Sequence, residues 1–479
     1  MCSESRGKLT GKTLPVLEYH SGGSGDYNDS PRSSTPPESL GSRDDTHESS
    51  AEPVPVPPGL RNAFEAATNG QSPSSTVSSN YEGDLTPEQI PPYVQDPIIQ
   101  QLLHHYDKEV AAVMPWVDGP QNLWRTVLIP LGMESPSLLL AILALAAEHY
   151  TSKMGSTWAK QHGISSSHYR DRSLRLLAQN LRCEMTEGAS TPHQGPPSAM
   201  LATILILCNL EMIRSDSSVW SVHWKAARTI TRRWTAPHHS PSLLDPTCHL
   251  LIREAFTYDV FASTTTFDGE DLIPPSVLND HDECAFTEWM RAIQDVTIAE
   301  RYLDMNRTGN GPAQPPIEMA TLQSKFEYAR RRSHELETAI NFGSPELHHD
   351  FKILIDIFHF AGLIYSIRAL LDPANVSGSL QQLVQNTIQC INLIEVRSAF
   401  QHDFVWPLFI IGTESRASIE LQDFVESRLL EAMTSTGFSN CYPALQFLQR
   451  FWSTQPSTTV DWLQFARREA ARGLTFLVI

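Results

Sequence analysis

The sequence predicts an all-α fold, with one large domain of stacked antiparallel helices preceded by a disordered N-terminal arm. From residue 93 to the end, apolar residues recur at helical spacing. Asp-Pro and Ser-Pro pairs stand in front of apolar segments, where helices commonly begin. Alternating strand patterns bounded by tight turns are nearly absent. With 479 residues, 41% of them hydrophobic, the chain is long enough to bury a sizeable core.

Residues 1–92 form a region of different composition, rich in Ser, Pro, Gly and acidic residues. Aromatic and branched aliphatic side chains are few, so this region cannot bury enough apolar surface to offset the entropy lost on ordering. We therefore expect a disordered acidic Ser/Pro-rich arm over 1–92 and a folded domain over 93–479. Because its apolar content is low, the arm fits a plain linker better than an acidic activation segment.

The first helices of the domain are marked by their start signals. Asp96 is predicted to cap a helix that begins at Pro97, and Ser135-Pro136 repeats this signal before an apolar helix. Loops rich in Gly and Pro are predicted at 188–197, 268–282 and 307–316. Further helices are predicted near 164–185, 197–213, 219–235, 244–267, 285–304, 317–340, 345–371, 378–398, 404–435, 442–452 and 460–473.

The two longest apolar runs are LLLAILALAA at 138–147 and LATILILCNL at 201–210. Both are well short of the roughly 20 residues that a bilayer requires. They therefore indicate buried helices, and we expect no membrane partner. The N-terminus also lacks the apolar stretch of a signal peptide.

Charge and cysteine spacing exclude several kinds of site. The net charge of −18 argues against a chain that binds nucleic acid by itself, because phosphate binding needs a basic face. No C-x-x-C spacing occurs, so a cysteine zinc site and a disulfide framework are not indicated. A reducing compartment is the simpler interpretation of the seven cysteines, which are Cys2, Cys183, Cys208, Cys248, Cys284, Cys390 and Cys441.

Several segments, taken in order, resemble the fungal-specific transcription factor domain, and together they span about 380 residues. The most telling one is FVWPLFIIGTES at 404–415. The others are IIQQLLHHYDKEVAAVMP at 98–115, LWRTVLIPLGMESPSLLLAILALAAEHY at 123–150, HYRDRSLRLLAQNL at 168–181, LATILILCNLEMIRSDSSVWSVHWKAARTI at 201–230, FTYDVFASTT at 256–265, LQRFW at 448–452 and DWLQF at 461–465.

This resemblance implies a helical regulatory domain in a nuclear protein that controls transcription of a metabolic or secondary-metabolite gene set. Most family members carry an upstream zinc cluster of six cysteines in two C-x-x-C-x6-C runs, which reads DNA. Here Cys2 alone precedes residue 183. Either the chain is a natural variant without the cluster, or an upstream exon is missing from it. The alternative function is an adaptor that lacks DNA binding of its own.

The partners expected from the resemblance are other transcription regulators or a second copy of the chain. Contact with promoter DNA would be indirect, or direct only if an upstream zinc cluster exists. No catalytic, metal-binding or DNA-binding residues are assigned and no cofactor is expected, since the sequence lacks G-x-S-x-G, H-E-x-x-H and a strand-linked G-x-G-x-x-G. We accordingly expect a regulator and not an enzyme.

One candidate site for a small-molecule inducer is a cavity lined by Trp406, His223 and Trp224. The competing interpretation of Trp406-Pro407 is a core position at a helix start. The arginines at 228, 232 and 233 and at 330–332 either lie on solvated helix faces or contact an acidic partner. The histidine pairs at 104–105, 238–239 and 348–349 point different ways if helical, which disfavours a shared metal.

Overall fold

The computed structural model describes residues 85–155, 157, 162, 164–185, 196–215, 217–236, 245–267, 272–278, 284–307, 317–371, 377–454 and 461–479. Across these ranges the chain forms helices and connecting turns, with no strand. The predicted all-α class is therefore confirmed. The predicted arm up to residue 84, most of the three predicted loops and the histidine pair at 238–239 lie outside the described residues.

The α-helices follow one another through the described chain and are numbered here in order. They are α1 (Ile90–Tyr93), α2 (Pro97–His105), α3 (Leu123–Thr126), α4 (Leu128–Glu134), α5 (Pro136–Met154), α6 (Ser166–Met185), α7 (Pro197–Met212), α8 (Trp220–Trp234), α9 (Pro246–Thr265), α10 (Thr287–Arg307), α11 (Met319–Leu336), α12 (Pro345–Leu370), α13 (Ser377–Leu393), α14 (Val405–Thr413), α15 (Ile419–Thr436), α16 (Tyr442–Trp452) and α17 (Trp462–Ala470).

Successive helices pack against each other in antiparallel pairs. On α10 and α11, Trp289 Nε1 donates to Ser333 Oγ at 2.8 Å, while Asp295 forms an ion pair with Lys325. The start of one helix therefore meets the end of the next, which is the arrangement of an αα-hairpin. The predicted stack of antiparallel helices is confirmed in these pairs.

Helices two places apart in the chain run parallel. The hydroxyl oxygens of Ser137 on α5 and Thr203 on α7 lie 3.4 Å apart, and Glu148 pairs with Arg214 just after α7. Both contacts join residues 66 positions apart, so the two helices advance together. Helices α5 and α7 therefore point the same way.

The two apolar runs form central helices, as predicted. Residues 138–147 of α5 and 201–210 of α7 are buried throughout. A helix that is hydrophobic on all sides needs protein on all sides. The contacts of α5 with α2, α4, α6 and α7 supply that surrounding protein.

Helix α12 is long and apolar enough, by length and composition, to cross a bilayer. It is however packed against α10, α11, α13 and α14. Its ends and sides carry charged groups with partners, including Asp350, which accepts from Val396 N at 2.7 Å, and Arg368, which pairs with Glu414. Burial inside the helical stack accounts for its apolar character.

Helix starts follow the signals in the sequence. The Asp96 side chain accepts from Ile98 N, and Asp245 and Ser344 cap α9 and α12 in the same way, each followed by proline. Ser135 also precedes a helix-starting proline, but its hydroxyl makes no cap bond and lies 3.2 Å from that of Ser137 instead. Upstream of the expected boundary at 93, Leu85 and Ile90 are buried in the core.

Two helix predictions differ from the structure. The single helix predicted over 404–435 is divided into α14 and α15, because Ser418 interrupts it and caps a new helix by accepting from Leu421 N. The helix predicted to begin at Pro97, whose apolar residues recur at helical spacing as far as Val110, is the second case. At Tyr106 the helix changes into a π-helical turn that ends at Val110. The buried Tyr106 hydroxyl, at the start of this turn, donates to Trp124 O at 3.1 Å.

Candidate functional site

A recess of about 30 Å³ lies where α9, α12 and the approach to α14 meet. Its inner wall is buried and mostly aromatic, and consists of Thr257, Tyr258, Phe261, Phe358 and Trp406. Its outer wall keeps partial solvent exposure and consists of Met114, Trp116, Glu254, His402, Asp403 and Ile479. The recess therefore has an apolar floor and a rim that carries titratable groups.

The aromatic side chains of the recess support one another. Trp116 stacks on Phe286 with ring centroids 4.0 Å apart and meets Phe358 edge-on at 5.3 Å. Phe358 in turn stacks on Trp406 at 5.8 Å, and Phe261 packs against the same indole at 5.9 Å. Such contacts between large rings fix their orientation. The floor is consequently a rigid surface of ring faces and edges.

Two titratable groups at the rim lie deep among protein atoms. Burial lowers the pKa of His402 to about 4 and raises the pKa of the Asp403 carboxyl well above its ordinary value. Both side chains nevertheless keep part of their accessible surface. A recess explains both observations, because protein surrounds the groups on most sides and their remaining surface faces the opening. The Asp403 carboxyl has no hydrogen-bond or ion-pair partner among the described residues, whereas its backbone N–H donates to Phe400 O at 3.1 Å.

The indole N–H of Trp406 is the second polar group of the recess without a partner. Trp406 is 1% exposed, and its Nε1 has no acceptor within the described part of the chain. Burying a donor removes its hydrogen bonds to water, and without a protein acceptor this loss of free energy is not offset. Two of the residues that line this small space, Trp406 and Asp403, therefore each carry a polar group without a partner among the described residues.

The helices around the recess are held from outside it. The Trp452 indole N–H donates to Gly412 O at 2.8 Å, and Arg368 pairs with Glu414, so both contacts hold the C-terminal end of α14. Thr265 donates to Phe476 O at 2.6 Å, which ties the last described residues to α9. The geometry of the recess is thus set by contacts that do not use its own polar groups.

The volume limits what the recess holds in this conformation. A cavity volume of about 10–15 Å³ is enough for one water molecule, so the recess of about 30 Å³ holds two groups of that size. Cavities that enclose drug-sized ligands are roughly tenfold larger. The recess is suited to a small polar head group, with anything larger extending past the rim.

A second buried polar cluster lies on the opposite face of α9, around Asp259. Its carboxylate accepts from Trp224 Nε1 at 3.0 Å, from Arg228 Nε at 2.5 Å and from Ile273 N at 2.8 Å. The Arg228 guanidinium also lies 4.2 Å over the Trp224 ring. Burial raises the pKa of Asp259, while Arg228 and the hydrogen bonds oppose that rise. In this cluster the buried carboxylate is matched by donors and a cation.

The three residues predicted to share an inducer cavity have different surroundings. Trp406 lines the recess, whereas Trp224 belongs to the Asp259 cluster. His223 is 3% exposed on α8, and burial, followed by the charge of Arg170, lowers its pKa to about 4. Neither His223 nor Trp224 is among the residues that line the recess.

The residues that sequence reasoning missed are Asp403 and its neighbour His402. Their one sequence signal is the polar triplet Gln401-His402-Asp403 directly before an apolar helix. That pattern ordinarily indicates a helix cap. Here Phe404 occupies the cap position of α14 and makes no side-chain cap bond.

In the remaining histidine and arginine clusters, neighbouring side chains point in different directions from their helices. His104 is exposed, while His105 Nε2 lies 2.9 Å from Nδ1 of His149. No group of three or more potential metal ligands converges within the described residues. Arg228 is buried against Asp259, and Arg330 pairs with Asp356. The two arginine clusters are therefore not continuous basic surfaces.

The comparisons with known proteins agree with this architecture. The sequence matches the fungal specific transcription factor domain over residues 101–479. Over 124 residues it is 27% identical to the transcriptional activator protein UGA3 of Saccharomyces cerevisiae, and this match covers 26% of the chain and 22% of that relative. The chain thus aligns with about a fifth of the relative's length. No solved structure matches it.

The chain belongs to the family defined by the fungal-specific transcription factor domain. The family match begins within α2 and includes every helix from α3 onward. The resemblance predicted from ordered segments is confirmed. Membership associates the chain with transcription factors, and the similar protein is named as a transcriptional activator.

Proposed function

We propose that this protein controls transcription of a pathway-specific set of metabolic or secondary-metabolite genes from the nucleus, through its helical domain. The observation that carries the proposal is the family match over residues 101–479, which includes most of the folded domain. The similarity to a transcriptional activator, though limited to part of each chain, points the same way.

Deleting the gene and profiling transcripts tests this function. We expect coordinated changes in a limited group of genes, and restoration by the wild-type chain. A deletion strain whose transcripts match those of its parent under inducing and non-inducing growth conditions would contradict the proposal. A fluorescent fusion of the full chain tests nuclear localisation in the same strain.

The second candidate function is an adaptor that acts through another transcription regulator. It is favoured by the net charge of −18, because a chain that binds nucleic acid by itself needs a basic face. In this case the partner, either another regulator or a protein bound as a heterodimer, would contact promoter DNA. A homodimer remains the alternative assembly for a chain that binds DNA itself.

Mapping the 5′ end of the transcript separates the two functions. An upstream in-frame exon with six cysteines in zinc-cluster spacing would remove the adaptor proposal. Without such an exon, chromatin immunoprecipitation of the tagged chain should depend on a second regulator, and deleting that regulator should abolish promoter occupancy.

An inducer-binding role for the domain is also part of the proposal. Trp406, His223 and Trp224 are the residues that the sequence nominates. The recess at Trp406 is the better supported place, because it has open volume and unsatisfied polar groups, whereas Trp224 is engaged with Asp259.

A further inference from the structure

The recess contains an electrostatic mismatch that a ligand would correct. The Asp403 carboxyl has no partner among the described residues, and none of the described residues that line the recess is a Lys or an Arg. The other acidic group at the rim, Glu254, has the guanidinium of Arg253 at 3.7 Å. A carboxylate held away from bulk water without a cation is costly. The unmatched charge is thus localised at Asp403.

The walls around this carboxyl favour a cation further. Trp116, Phe261, Phe358 and Trp406 present aromatic surface to the recess. Ring faces attract cations within about 6 Å of the centroid, and the attraction is larger where water is excluded. An anion would meet the acidic side chains of Asp403 and Glu254 and no Lys or Arg among the described lining residues, so the same walls disfavour it.

We propose that the recess binds the ammonium head group of a small organic amine, with the Asp403 carboxylate as its counter-ion and the aromatic floor as its second contact. The volume of about 30 Å³ fits the head group and about one adjoining carbon, and the rest of the molecule extends past the rim. Trp406, whose indole N–H has no acceptor within the described part of the chain, is one of the residues that would contact the head group.

Binding would join parts of the chain that are distant in sequence. The recess is formed by α9, α12, the approach to α14 and the segment around Trp116. A ligand that contacts Asp403 and Trp116 would therefore stabilise their packing together, as any ligand specific for the folded state does. The regulatory consequence of this inference rests on the proposed function, whereas binding itself does not.

The test uses the purified full chain and three amines, methylammonium, butylammonium and phenethylammonium. Methanol, butanol and phenethyl alcohol are their matched neutral controls. Isothermal titration and thermal unfolding report binding. We expect at least one amine to bind and to raise the unfolding temperature, while its alcohol of equal length does not. If no amine differs from its alcohol, the recess holds only water and the proposal is overturned.

The substitution Asp403→Asn assigns binding to this site, because it keeps the shape and removes the charge. We expect at least a tenfold loss of amine affinity. The matched control is Asp423→Asn, which makes the same change at an exposed position of α15 and should leave the affinity unchanged. Equal affinity in wild type and the Asp403→Asn variant, with circular dichroism showing both folded, would overturn the assignment.

A transcript profile of the strain carrying Asp403→Asn separates this inference from the proposed function. We expect the gene set that responds to deletion to lose its response to the amine. Amine binding in vitro with no transcript change on gene deletion would refute the proposed function and leave the site standing. A change in transcripts on gene deletion, without amine binding in vitro, would refute the binding site and leave the proposed function standing.

Discussion

The two polar regions on opposite faces of α9 use similar residue types and differ in how completely they are satisfied. Asp259 accepts hydrogen bonds from an indole, a guanidinium and a backbone N–H. The Asp403 carboxyl has neither a hydrogen-bond nor an ion-pair partner among the described residues, and the nearby Trp406 indole N–H is unsatisfied as well. A matched buried carboxylate holds helices together, whereas an unmatched one lowers stability and leaves binding capacity.

The largest effect is expected from breaking the matched cluster. Arg228→Ala leaves the Asp259 carboxylate buried without its cation, which should lower the free energy of unfolding by about 3–5 kcal/mol. Urea unfolding followed by circular dichroism measures the change. Arg331→Ala, at an exposed position of α11, is the control and should change stability by less than about 0.5 kcal/mol. Similar losses in both variants would show that the Asp259 cluster does not hold α8 to α9.

A smaller effect is expected from overpacking the support of the recess. A Cβ added at Gly412 on α14 would lie 2.7 Å from a methyl carbon of Leu448, which is shorter than a normal contact. Gly412→Ala should therefore lower the free energy of unfolding by about 1–3 kcal/mol.

The control for this change is Gly378→Ala near the start of α13, where an added Cβ meets nothing within 4 Å. Because alanine favours helix over glycine, this variant should keep or slightly raise stability. Thermal unfolding of the two variants side by side makes the comparison. If Gly412→Ala proves as stable as Gly378→Ala, α14 is not held by close contact with α16.

The smallest effect concerns pH and the recess. Because burial raises the pKa of Asp403 in the folded state, the stability linked to its proton is fully present at acidic pH and is lost as the pH rises through the folded-state pKa. Asp403→Asn should remove this loss, so that its unfolding midpoint in urea falls less than that of wild type between about pH 5 and pH 9. The other titratable groups at the recess, His402, Glu254 and Tyr258, are unchanged in the variant. Parallel pH profiles would contradict the burial of an unpaired Asp403.

The fold was predictable from local sequence signals, and the recess was not. The Asp96-Pro97 start and the apolar runs at 138–147 and 201–210 depend on neighbouring residues, so the sequence reports them directly. The recess depends on packing between residues as distant as Trp116, Phe358 and Asp403. Periodicity identifies Trp406 as apolar and buried, but it does not tell which polar side chain will lie beside it.

The inducer-site prediction shows the same limit at single residues. Trp406 and Trp224 are both buried tryptophans on helices, and sequence alone gives no reason to separate them. Their indole N–H groups differ because Trp224 donates to Asp259, 35 residues away, whereas Trp406 has no acceptor among the described residues. Only the three-dimensional arrangement shows which tryptophan has unused hydrogen-bonding capacity.

The most direct test of the difference between the two regions is urea unfolding of Asp259→Asn and Asp403→Asn at neutral pH. Each variant replaces a carboxyl by an amide of nearly the same shape. We predict opposite signs. Asp259→Asn should destabilise the domain by several kcal/mol or prevent folding, since Arg228 loses its buried partner, while Asp403→Asn should stabilise it by about 1 kcal/mol. Destabilisation of similar size in both variants would contradict the distinction between a satisfied core cluster and an open binding site.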